Sequence, residues 1–219
     1  ILFVITFPIN IWISGDFMSL NLILSEACDP VLYVHVMRLL EKVHKRKRNA
    51  QAIRINKAYG LMWSGQFSDA LALAESQRKY KISINYQLSL LNIRFNCYKK
   101  LNDLERAMQV KQEAEVLVSS FTKASARKTG RELLNVMDAG LALWRGDYET
   151  FRRIEEARSA RYTAKLQKVV SAGSLADVDI ACGELKNAKT HLEYVLQEGG
   201  TLYVVEDARR MLREIAQKE

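Results

Sequence analysis

An all-α fold built from repeated helix pairs is what this chain predicts, and three observations carry that expectation. Its 219 residues include only two prolines and ten glycines, so long stretches are free to be helical. Strand patterning is nearly absent beyond the first fourteen residues. A short motif also recurs: a glycine or small polar residue, an acidic or polar one, a bulky apolar one, and a small residue three further on. It stands at Gly65-Gln66-Phe67 with Ala70, at Asn102-Asp103-Leu104 with Ala107, at Gly146-Asp147-Tyr148, and at Gly183-Glu184-Leu185 with Ala188. The turns lie 37, 44 and 37 residues apart, close to the period of helix-pair repeats.

Taken in order, Gly15-Asp16-Phe17 repeats the motif, and Asp16 is placed to cap a short helix reaching about Glu26. Leu20, Ile23 and Leu24 give that helix an apolar face. Cys28-Asp29-Pro30 ends it and starts the next, because Asp before Pro is a good N-cap and Pro fits the first helical turn. Val31, Val34, Leu39, Leu40 and Val43 carry this second helix into a basic run, Lys42 to Arg48. A helix over 49–64, with Ile53, Ala58, Leu61 and Met62 on overlapping faces, stops where Gly65 supplies a left-handed residue. Its partner spans 68–77. Further pairs follow at 83–100 with 104–120, 123–145 with 148–160, and 162–182 with 185–198. Gly199-Gly200 then precedes a final amphipathic helix over 201–218, apolar at Val204, Val205, Ala208, Leu212 and Ile215. Its polar opposite side suits a cap that shields a stack from water. The organisation expected is therefore an apolar segment (1–14), an N-terminal helix pair (15–48), degenerate repeats (49–198) and a C-terminal capping helix (199–219).

The apolar segment reads ILFVITFPINIWIS and carries no charge. A bilayer span needs roughly 20 apolar residues, so fourteen suffice only as the distal end of a transmembrane helix, with Trp12 near the interface. The chain opens on Ile1, consistent with such a truncated start; the alternative is a first helix packed in the array. With a span in place, the basic run would set the repeats facing the cytoplasm. Cys28, Cys97 and Cys182 are widely spaced, odd in number and free of CxxC patterning, so they read as reduced thiols packed like small hydrophobes. That too favours a cytoplasmic setting for the bulk of the chain. The formal charge of +8 suits an anionic membrane surface, nucleic acid or an acidic protein, and does not choose among them.

From Asn56 to Leu71, with Ala58, Leu61, Gly65, Phe67 and Ala70 at the spacing of closely packed paired helices, the chain resembles a tetratricopeptide repeat. Ala139, Ala142, Gly146, Asp147 and Tyr148 match as a second unit, with Phe151 where alanine is preferred. Phe95, Tyr98, Leu104 and Ala107 match more loosely, with Asn102 for glycine. Ala176, Gly183, Leu185 and Ala188 fit a last unit, in which Asp179 stands where an apolar residue is expected. The layout is also similar to membrane-anchored repeat proteins of Gram-positive bacteria. The resemblance implies a right-handed superhelical array of antiparallel helix pairs, a tetratricopeptide-like solenoid, whose first helices line a concave groove for a peptide or protein segment. Carried over unit by unit, the groove residues are Asn56, Tyr59 and Trp63, then Asn92, Asn96, Lys99 and Lys100, then Met137 and Trp144. Asparagines and lysines at i, i+4 and i+7 share a face and could grip a peptide backbone.

Signatures of chemistry are missing from the sequence. His35, His44 and His191 stand apart, with no HExxH, and no GxxxxGK[ST], GxGxxG or GxSxG occurs. Glu155 with Glu156, and Asp177 with Asp179, read as solvated or capping carboxylates. No catalytic residue, metal site or cofactor is implied. The sequence therefore points to a non-enzymatic protein- or peptide-binding scaffold, membrane-tethered. The alternative is a nucleic-acid-associated or peptide-sensing regulatory repeat protein, for which Arg127, Lys128 and Arg131, and Arg152, Arg153, Arg158 and Arg161, offer basic stripes. No helix-turn-helix or RNA-recognition signature supports it.

Overall fold

A computed structural model describes residues 17–44 and 47–217. The apolar segment 1–14, Asp16 and part of the basic run lie outside the described residues. Within them the chain is all-α, with eleven helices and no strand. These are α1 (Phe17–Ser25), α2 (Pro30–Val43), α3 (Lys47–Trp63), α4 (Phe67–Gln77), α5 (Ile84–Lys100), α6 (Leu104–Ser119), α7 (Ala124–Arg145), α8 (Tyr148–Ser159), α9 (Lys165–Ala181), α10 (Leu185–Glu198) and α11 (Tyr203–Ala216). Each packs on its neighbour in sequence, and the short connections make neighbours antiparallel. A second order of packing joins α3 to α5, α5 to α7 and α9 to α11. No described helix is long and apolar enough to cross a membrane.

The recurring motif is a single turn geometry used four times. Gly65, Asn102, Gly146 and Gly183 all have left-handed backbone, with φ of +82°, +60°, +73° and +79°. The following residue donates its N–H back to the carbonyl five positions earlier: Gln66 to Leu61, Asp103 to Tyr98, Asp147 to Ala142 and Glu184 to Asp179, all at 2.8–2.9 Å. This is the Schellman termination, which satisfies carbonyls the helix end would otherwise orphan. Asn102 replaces glycine because asparagine is the side chain that best tolerates this region. Asp103 and Asp147 then cap the next helix, accepting from Arg106 and Thr150 N–H at 3.1 Å. Asp29 caps α2 in the same way, accepting from Leu32 N–H at 2.9 Å.

The apolar interior follows the pairs, but one cluster departs from sequence order. Leu20, Leu24, Cys28, Tyr33, Met37 and Ile53 from the first three helices share a core with Val169, Leu192, Leu202, Val205, Ala208 and Ile215 near the C-terminus. Polar contacts seal the seam. Thr201 donates its N–H to the Cys28 carbonyl at 3.0 Å and its hydroxyl to Asp29 Oδ1 at 2.8 Å. The C-terminal helix, α11, exposes Arg209, Arg210, Arg213 and Glu214 and places Val205, Ala208 and Ile215 in the core that contains the first helices.

Two further expectations change. Cys28 and Cys97 are buried, which pushes both thiols up, Cys97 to about 12, whereas Cys182 is exposed at the end of α9. The carboxylates Glu155 and Asp179 are buried and not solvated. Asp179 accepts from Arg152 Nη2 and pairs with His191 Nδ1, each at 2.8 Å, which is how a buried charged residue is accommodated where an apolar one is expected. Glu155 accepts from Arg158 Nη1 and the Tyr162 hydroxyl, both at 2.6 Å. A third network centres on buried Arg94, which donates Nη1 and Nη2 to Glu113 at 2.6 and 3.0 Å and Nε to Glu75 at 2.7 Å. It ties α4, α5 and α6 together.

Candidate functional site

A groove lies between the helices. It has two lobes, of about 280 Å³ and about 240 Å³, which share Trp63, Asn96, Lys99, Gly140, Leu143, Val170 and Ser174 in their walls. Most of its lining comes from alternate helices: Tyr59 and Trp63 of α3, Asn92 to Lys100 of α5, Val136 to Trp144 of α7, Val170 to Asp177 of α9, and Tyr203, Asp207 and Met211 of α11, with Phe67 of α4, Phe151, Glu155 and Arg158 of α8 and Leu192 of α10 between them. Helical periodicity accounts for the row on α5, since Asn92, Asn96 and Lys99 fall at i, i+4 and i+7.

Seven of the nine residues expected at a groove are brought together here: Tyr59, Trp63, Asn92, Asn96, Lys99, Lys100 and Trp144. Two are not. Met137 is fully buried in the core with Phe95 and Val110, because the inward row of α7 runs through Val136, Gly140 and Leu143, and Met137 lies one residue, a turn of roughly 100°, away. Asn56 is half-buried on α3 one turn before Tyr59, outside the lining.

One wall is aromatic. Trp63 stacks on Tyr203 with ring centroids 6.1 Å apart and planes 13° from parallel, while Tyr59 meets Trp63 edge-on at 6.0 Å and Phe67 meets Tyr203 edge-on at 5.1 Å. Trp63 thus serves the closure of the array as well as the groove. Its indole N–H is buried with no partner of hydrogen-bond geometry among the described residues. Tyr59 stands beside it; burial raises the pKa of this phenol and the neighbouring indole draws it partly back. Tyr203 escapes sequence reading because its partners lie far away in the chain, and no local pattern marks the first residue of a last helix as a wall.

The other wall is charged. Lys100 Nζ lies 4.7 Å from the centre of the Tyr203 ring and 3.5 Å from Asp207 Oδ2. Lys99, by contrast, has neither ion pair nor hydrogen bond among the described residues. Burial between the groove walls, with Lys100 adding repulsion, lowers its ammonium pKa to about 8 although part of the side chain still meets water. Asp177 shows the converse: the surrounding walls raise its carboxyl, against the pull of Lys100, although the residue keeps an exposed side. Asn96 donates its amide to the Asn92 carbonyl at 2.9 Å and to Asn92 Oδ1 at 2.8 Å. That pair is spent largely on itself, and Lys99 is the groove's uncommitted donor among the described residues. Among the described residues no group of three His, Cys, Asp or Glu side chains could hold a metal ion.

Family models, curated proteins and solved structures yield no match to this chain.

The depressed Lys99 carries a pH signature. In the folded chain it loses its proton near pH 8, while the unfolded chain keeps it to about 10.5. The unfolded state therefore binds more protons between these values, and stability rises with pH across that window. Urea unfolding from about pH 7.5 to 10.5 is expected to show this rise, and Lys99→Met is expected to flatten it. An equal slope in both proteins would mean that water solvates this ammonium freely.

Proposed function

We propose that this chain is a non-enzymatic scaffold whose groove receives a peptide or protein segment. We place it as a tetratricopeptide-like array, right-handed in its superhelix, tethered to a membrane through residues 1–14 with its repeats toward the cytoplasm. The observation that supports this most is the convergence of Tyr59, Trp63, Lys99 and Trp144, from three successive pairs, on one continuous groove. Aromatic walls offer apolar contact at small entropic cost, and the unpaired Lys99 ammonium offers a donor to a backbone carbonyl or a carboxylate. Trp144, 45% exposed at the rim, is the side chain best placed to meet a ligand first.

The nucleic-acid alternative has less to work with. Arg152 is engaged with Asp179 and Glu184, and Arg158 with Glu155, so two members of the expected basic cluster are neutralised internally.

Photo-crosslinking in cells tests the scaffold. With benzoylphenylalanine in place of Trp144, the chain is expected to capture a polypeptide that Lys99→Glu abolishes and that the same probe at exposed Val116 does not capture. Adducts that vanish on nuclease treatment, or that form equally from position 116, would sink the groove reading. Carbonate washing of membranes checks the tether, and release of the full-length chain would exclude it.

A further inference from the structure

We infer that the outward face of α2 is a docking surface for an anionic lipid bilayer. α2 buries Pro30, Tyr33, Val34 and Met37 against the array, and Leu40 in part. The opposite side exposes Val31 (59%), Leu32 (46%), Leu39 (48%) and Val43 (66%). These are four of the ten large hydrophobic side chains exposed among the described residues, gathered on one helix of 14 residues. The other exposed positions of the same face are His35, Arg38 and Lys42.

Helical geometry sorts these side chains into two parallel strips. At 3.6 residues per turn the whole exposed face spans a sector of about 140°. Arg38, Lys42 and His35 line one edge with Val31, and Leu39, Leu32 and Val43 line the other. Glu41 is the only acid on α2, and it is turned inward, accepting from Arg54 Nε at 2.8 Å and Lys57 Nζ at 2.5 Å of α3. The outward face therefore carries no carboxylate, and in sequence it leads directly into Lys45-Arg46-Lys47-Arg48.

A bilayer surface fits this arrangement. Apolar side chains enter the boundary between headgroups and acyl chains, while the adjoining cations remain at the level of the lipid phosphates. A second copy of the chain fits it poorly, because a twofold pairing of these faces would bring basic strips together with no acid to offset them. The surface rests on α2 alone. It goes beyond the groove as a binding site and is separate from any anchor at residues 1–14, since an anchor could hold the chain at a membrane and leave α2 in water.

A fluorescence experiment on the full chain distinguishes these cases. With Cys182→Ser removing the exposed native thiol and Cys28 and Cys97 buried, Leu39→Cys accepts a single nitrobenzoxadiazole label. Val116→Cys, at a site 71% exposed on α6, provides the control. On vesicles of phosphatidylcholine with phosphatidylglycerol, the label at 39 is expected to shift to the blue and to be quenched by doxyl-labelled lipid, and the label at 116 is not. Arg38→Glu with Lys42→Glu is expected to weaken partitioning to these vesicles at least about tenfold and to leave the helical circular dichroism and melting unchanged. Vesicle-bound protein whose label at 39 stays in water would overturn the proposal and leave contact to residues 1–14. So would a blue shift that needs no lipid and grows with protein concentration, the mark of self-association. A failed cross-link at Trp144 would not bear on either result.

Discussion

Gly200→Ala is expected to destabilise the chain by about 3 kcal/mol and to lower its melting temperature by about 6–12 °C. Gly200 sits at the seam with φ of +54°, and a Cβ there would stand 2.5 Å from the Cys28 carbonyl oxygen and 3.0 Å from that of Ala27. Both are backbone atoms and cannot rotate aside. The substitution therefore combines the left-handed conformational cost, about 1 kcal/mol, with the displacement of one end of the array from the other. Gly183→Ala isolates the first part. Its φ of +79° is equally left-handed, but nothing lies within 4 Å of the added Cβ, so about 1 kcal/mol is expected. Scanning calorimetry of the two variants reads the difference. Equal losses would mean that the Cys28–Thr201 seam contributes nothing to holding the fold.

Arg94→Leu should produce the next largest effect, a loss of about 2–3 kcal/mol near neutral pH. Removing the guanidinium leaves Glu75 and Glu113 facing one another with only the more exposed Arg78, 3.1 Å from Glu75 and 3.5 Å from Glu113, as a neighbouring cation. Their side chains are 30% and 40% exposed, so water relieves part of the penalty that a fully buried pair would suffer. The pH dependence follows from their protonation. Hydrogen bonds from Arg94 hold the Glu113 carboxyl below its usual range. Burial pushes Glu75 upward, but its bonds to Arg94 and Arg78 more than reverse this, and it too is lowered. Depressed carboxyls contribute stability that is present above the unfolded value of 4.5 and is lost as pH falls through the folded values. The gap between wild type and Arg94→Leu in urea unfolding should accordingly narrow as the pH drops below about 4.5. Replacing Glu75 and Glu113 by leucine as well should recover most of the loss, because the cost lies in stranded charge. A gap that stays constant with pH would show that Arg94 acts through packing alone.

What the sequence discloses and what it hides divide along physical lines. The turns at Gly65, Asn102, Gly146 and Gly183 are legible because a left-handed residue is demanded at one position and few side chains meet it. The inward row of α5 is legible because Asn92, Asn96 and Lys99 share a face wherever that helix is placed. Met137 is misjudged because the row on α7 is set by how the helix rolls against α6, and a one-residue error moves a side chain from groove to core. Asp179 looks like a defect until Arg152 and His191 are placed beside it from neighbouring helices. The seam leaves no trace at all, since Thr201 and Asp29 are 172 residues apart and neither is unusual in its local setting.

That separation bears on how the molecule comes into being. An open row of helix pairs can settle unit by unit as it leaves the ribosome, each new pair covering the last. Here the apolar sides of α1, α2 and α3 await α9, α10 and α11, at synthesis rates that leave them uncovered for on the order of ten seconds or longer. The same joint constrains the length between its two sides. A helix pair inserted or deleted between α3 and α9 would carry Thr201 away from Asp29, so such a change is expected to break the contact.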